Sequence, residues 1–198
     1  MANKDAAFGF MPVGTTDGSD YHGKLERVSM LVGDTAAIFI GDMVTLSAEG
    51  SPTSGVGRAV KRAAAGTNNP LLGSLVSVDP DFTDEGSLTT LHRVASTART
   101  GRVVVGSQVL YVAQEDSVGN NIEATEVNNN INIATLVAGS TVTGRSRLEL
   151  DSSSAATGAT LQFRLHGLHE VPGNAIGTNA NWLVSINRDA DILAGAGI

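Results

Sequence analysis

Ala159-Thr160-Leu161-Gln162-Phe163-Arg164-Leu165-His166-Gly167-Leu168-His169-Glu170-Val171 is the clearest strand in the chain and sets its reading. Leu161, Phe163 and Leu165 share one face of an extended segment, and Gln162, Arg164 and His166 share the other. A two-residue period of this kind belongs to a strand with one face covered and one face wet. The same period returns on both sides. Asn181 to Asn187 carries Leu183, Val184 and Ile186, and Arg145 to Asp151 sets Ser146, Leu148 and Leu150 against Arg147, Glu149 and Asp151. Pro172-Gly173-Asn174 and Gly177-Thr178-Asn179 supply turns between the last two strands.

Further strands are expected within Ala36 to Ala48, where Gly41-Asp42 interrupts the alternation, and from Leu71 to Val78, which Asp79-Pro80-Asp81 ends. Ser87 to Ala95 and Gly101 to Ala113 follow. The latter is apolar on both faces around Val103-Val104-Val105 and reads as one central, fully covered strand. Ile122 to Val127 has the alternation of a half-buried edge. The helical-looking pieces are Arg58 to Ala65 and Val94 to Arg99, each short. The tail from Asp189 to Ile198 is rich in Ala and Gly and is expected to fray or to cross onto a neighbour.

Short strands separated by turns drawn from 23 glycines point to a mainly β fold, a β-sandwich or β-barrel of about eight to ten short strands with little helix. Ahead of it, residues 1–25 are expected to form an extended N-terminal arm, leaving 26–198 as a single β domain. Phe8, Phe10, Met11 and Pro12 are the arm's candidate partner-binding residues. They either pack on the chain's own domain or dock on a neighbouring subunit or partner, by strand addition or by filling a pocket.

A chain of 198 residues is long enough to bury roughly 70% of the surface it exposes unfolded. With 5 Phe, 2 Tyr and 1 Trp, its core must be built mainly from Val, Leu, Ile and Ala. No cysteine is present, which removes disulfides, thiolate metal sites and cysteine nucleophiles. No stretch has the length of a membrane span or the apolar run of a signal peptide, so no membrane partner is expected and the chain is expected to be made in a cytoplasm and to stay soluble. The net charge of −7 argues against nucleic acid, whose phosphates need a surplus of Lys and Arg on one face.

Catalytic and metal chemistry find little footing. His166 and His169 lie three residues apart on an expected strand and so point to opposite faces, away from a shared zinc ion. Asp79, Asp81, Asp84 and Glu85 are dense in oxygen ligands but lack the glycine and the final glutamate of a calcium loop. Neither a nucleophile elbow nor a phosphate-binding glycine loop occurs. No catalytic residue, metal or cofactor is therefore expected. Two basic groupings, Arg58, Lys61, Arg62 and His92, Arg93, Arg99, Arg102, are read either as solvated charges balancing carboxylates or as a face turned toward an acidic partner.

Met1-Ala2-Asn3-Lys4-Asp5-Ala6-Ala7-Phe8-Gly9-Phe10-Met11-Pro12-Val13-Gly14, Thr143 to Asp151, Leu161 to Leu168 and Asn179-Ala180-Asn181-Trp182-Leu183-Val184-Ser185-Ile186-Asn187 together resemble the capsid decoration (cement) proteins of tailed bacteriophages and cyanophages. The resemblance covers the two ends of the chain and rests on the order of these strings. It implies a virion structural protein, a homotrimer on the outer surface of an icosahedral head that bridges adjacent major capsid proteins, with no catalytic residues. A tail- or fibre-associated virion component or a carbohydrate-binding β module is the rival, which the scarcity of Trp and Tyr disfavours. An enzyme with loop-borne catalytic groups would instead show a deep pocket of converging His and carboxylate side chains.

Overall fold

The structure, a computed structural model, describes residues 3–19, 21, 23–48, 57–80 and 88–193. Among them the chain is mainly β, with ten strands in two sheets and helix confined to short 3-10 turns, the class expected from the sequence. Five strands close a barrel: β2 (Leu25–Met30), β3 (Met43–Leu46), β4 (Arg58–Arg62), β5 (Gly73–Val78) and β6 (Arg99–Val105), in the order β2-β4-β3-β5-β6. Only β2 and β4 run parallel. The other five form an antiparallel sheet in the order β1-β7-β10-β9-β8, comprising β1 (Met11–Thr15), β7 (Val109–Gln114), β8 (Asn130–Ile131), β9 (Phe163–Leu168) and β10 (Asn181–Ile186).

A five-stranded barrel is too narrow for anything but side chains. Val28, Met30, Ile38, Val44, Val60, Leu72, Leu75 and Val103 fill it. The second core lies between the barrel and the sheet. There Tyr111, Trp182, Val184, Phe163 and Leu165 from the sheet meet Met43, Leu71 and Val104 from the barrel side. Phe10 stacks on Phe163 with ring centroids 4.6 Å apart, and the Tyr111 hydroxyl donates to the Val104 carbonyl at 3.2 Å.

The stretch read as one covered strand, Gly101 to Ala113, is two. Gly106, at φ +105, turns the chain out of the barrel and into the sheet. Valines cover both faces of β6 because Val103 points into the barrel and Val104 into the second core. Arg58 to Ala65 is likewise not helical, since 58–62 is β4. Its charges at 58, 61 and 62 imitate a helical face, but Ala59 and Val60 are buried in a segment paired with β2 and β3. Of 94–99, only Arg99 belongs to a regular element, and it opens β6. Within Ile122 to Val127, Ala124–Glu126 forms a 3-10 turn rather than an edge strand.

The N-terminal arm is extended as expected, but it lies on the chain's own sheet. Gln114 accepts from the Ala6 N–H and donates to the Lys4 carbonyl, and Asn3 bonds across to Ala175 and Thr178. Beyond this clamp the segment crosses Gly41, where the Phe10 N–H donates to the Gly41 carbonyl at 2.9 Å. Gly9 permits the crossing, because its φ is +80 and a Cβ there would sit 2.5 Å from the Gly41 oxygen. β1 is an edge of the sheet and β2 starts the barrel at Leu25.

Candidate interaction surface

Close to the Gly9 crossing, Asp42 is fully buried and holds three elements together. Its carboxylate accepts from the Phe39 N–H at 2.9 Å and the Ser146 hydroxyl at 2.6 Å, and it faces the Arg62 Nε at 3.4 Å. Arg62 also donates to the Val137 carbonyl. Burial pushes the Asp42 carboxyl above its ordinary value, against the pull of Arg62, Ser146 and the Phe39 N–H.

This knot seats a loop over residues 136–145. The Ile40 N–H donates to the Gly144 carbonyl of the loop and the Ile40 carbonyl accepts from the Ser146 N–H just beyond it, while the Ser140 N–H donates to the Arg145 carbonyl to close its neck. Gly139 lies where a side chain would strike the Phe39 ring, and Gly144 where one would strike Leu91. The loop's two glycines thus pack closely on Phe39 and on Leu91. Val142 at the tip is 88% exposed, Val137 earlier in the loop is exposed, and so is Leu91, against which Gly144 packs. Met11 on β1 adds to the same side, with its sulfur 3.6 Å from Arg145 Nη1.

Beside the loop is a cleft of about 510 Å³, with Asp5, Ala6 and Ala7 on one wall and Arg145, Arg147 and Glu149 among its other lining residues. Desolvation, and then the charges of Asp5 and Asp116, push Glu149 from an ordinary value of 4.5 up to about 7. Because the folded state holds this proton more tightly than the unfolded chain, the contribution of Glu149 to stability is fully present below about pH 4.5 and is lost as pH rises to about 7. Glu149→Gln is expected to flatten that slope and to stabilise the protein at pH 8. The gain should be about 1–2 kcal/mol once screening of the half-exposed carboxylate is allowed for. Urea titrations across this pH range check it, and an unchanged slope in the variant would refute it.

The residues singled out in the sequence divide sharply. Phe10 is in the core, so it serves this chain and is not available to a partner. Phe8 is half-buried and lines a small groove with Val171 and Pro172, while Met11 and Pro12 stand on the edge strand. Arg93 is fully buried. Its guanidinium donates to the Leu31 and Thr97 carbonyls and pairs with Asp34, which closes the turn after β2. Arg62 is committed to Asp42. Neither faces a partner. Arg58, Lys61, Arg99 and Arg102 do lie on the outside of the barrel, where Arg58 meets Glu26 at 3.0 Å and Arg102 lies 3.8 Å from Asp79. Asp79 also accepts from Thr100 and faces Arg27; Asp81, Asp84 and Glu85 lie outside the described residues. His166 bonds Ser185 at 2.8 Å, and among the described residues no group of three or more His, Asp or Glu is arranged to hold a metal ion.

The sequence reading missed Leu91, Val137 and Val142. Their one local signal is Val142 standing between two threonines in a loop bounded by Gly139 and Gly144, a pattern that periodicity does not register. No family model, curated protein or solved structure matches the chain.

Proposed function

We propose that this chain is a virion structural protein that decorates the outer surface of an icosahedral capsid, bridging adjacent major capsid proteins as a homotrimer. The observation that supports this reading is the exposed Val142, presented with Val137 on a loop whose Gly139 packs on Phe39 and whose Gly144 packs on the exposed Leu91. A lone exposed valine is ordinary, but exposed aliphatic side chains on and beside one packed loop suit burial against another protein. The resemblance of the two ends to decoration proteins points the same way. Internal pressure loads the joints between capsid subunits, and a clamp that touches several of them at once gains strength from repeated weak contacts.

The rival carbohydrate module would display aromatic rings. Trp182 and Tyr111 are instead both fully buried, leaving Tyr21 as the partly exposed one of the three residues that such a face would use.

Purified protein mixed with heads built from the major capsid protein of the same virus should cosediment and appear as threefold density on the shell. Val142→Asp combined with Leu91→Asp should lower occupancy by about 10-fold or more while leaving the thermal transition unchanged. Full occupancy by that variant, or no binding by the wild type, would refute the reading.

A further inference from the structure

On the outer face of the sheet, away from the Val142 loop, β9 and β10 and the turns beside them form an open groove of about 470 Å³. Its lining includes Ser107, Gln108, Arg164, Ser185 and Arg188. Arg164 stands opposite Ser185 in the strand register, and Arg188 opens the 3-10 turn that follows β10. Five arginines of the described chain are paired with carboxylates, namely Arg27, Arg58, Arg62, Arg93 and Arg102. Arg164 and Arg188 are not among them, and no carboxylate lines the groove.

The nearest acids in sequence do not compensate. Asp191 is buried, and its two oxygens accept from the Ser107 and Leu193 N–H groups. Asp189 is exposed beside Arg188 and pairs with neither guanidinium. His166, on the same face as Arg164, is held at 2.8 Å from the Ser185 hydroxyl. Burial and the Arg164 charge lower its pKa, so it stays neutral near pH 7 and adds a polar edge without adding charge.

Arg145 and Arg147 also lack a carboxylate partner, but their cleft is lined by Asp5 and Glu149, whereas the groove of Arg164 and Arg188 has no acid in its lining. Each of the latter two can take a carboxylate through two parallel N–H bonds. We propose that this groove docks an extended, carboxylate-bearing segment of a partner protein, with Arg164 and Arg188 each receiving one acidic side chain and the exposed Gln108 bonding its backbone. A protein segment fits better than nucleic acid, because the chain's overall negative charge repels a phosphate backbone at long range, whereas a short acidic segment needs only the local pair. The proposal holds whether or not a viral shell is the partner.

A fluorescein-labelled polyglutamate peptide titrated into the full-length protein at low salt tests it. Binding should shift the amide signals of 107–108, 164–166 and 185–188. It should weaken about 10-fold with either Arg164→Ser or Arg188→Ser and vanish with both, whereas Arg58→Ser on the barrel should leave it unchanged. The substituted side chains do not enter either core, and Arg164→Gln with Arg188→Gln provides a second variant should the first fail to fold. No binding by the wild type, binding that survives loss of both arginines, or an oligothymidylate that binds more tightly through the same two residues would overturn the proposal.

Discussion

Asp42→Ala is expected to lower the stability of the protein by about 3–5 kcal/mol, because removing one member of a buried ion pair strands the other. The substitution leaves the Arg62 guanidinium, the Ser146 hydroxyl and the Phe39 N–H facing an empty acceptor position. Asp42→Asn keeps an acceptor for Phe39 and a polar contact for Ser146, so its cost should be nearer about 1–2 kcal/mol. Equilibrium urea unfolding of the two variants measures the difference. A loss below about 1 kcal/mol for the alanine variant would show that the knot does not hold the loop as described.

Trp182→Ala is expected to cost about 3–5 kcal/mol or more. Trp182 is the largest fully buried side chain, and its ring fills the second core while its indole N–H donates to Glu115 at 3.3 Å. Glu115 is itself buried. It also accepts from the Ile122 N–H and the Ser117 hydroxyl, and burial raises its pKa against these bonds. Trp182→Phe retains much of the apolar volume but removes a donor, so it isolates the hydrogen bond at about 1–2 kcal/mol. Since the protein has one tryptophan, far-ultraviolet circular dichroism rather than fluorescence must follow the unfolding. Alanine and phenylalanine variants of equal stability would contradict this account.

What the sequence made legible was alternation. Leu161, Phe163 and Leu165 are buried as expected while Arg164 is exposed, and Leu75 and Val184 lie inside their strands. Arg145 to Asp151 keeps its predicted in-and-out pattern, yet it makes only isolated bridges, from Arg145 to Ile40 and from Leu150 to Glu115 and Ile133. It threads between the barrel and the sheet, so its facing is local while its partners come from distant parts of the chain. Partners of that kind leave no local trace. Arg62 and Arg93 looked like surface charges because nothing nearby in sequence announces Asp42, well before the one, or the Leu31 carbonyl and Asp34, still further before the other. The apolar loop was hidden for the opposite reason, since exposure of Val142 is decided by what Gly139 and Gly144 pack against.

The clamp on the N-terminal segment also bears on the order of assembly. Asn3 is fastened to Ala175, which lies 172 positions later, and Ala6 to Gln114, which lies 108 later. A ribosome delivers residues 3–6 long before 114 and 175, so this segment stays unseated until those anchors have emerged. Closing spans of that length is slow in itself, because loop-closure entropy precedes the reward of the contact.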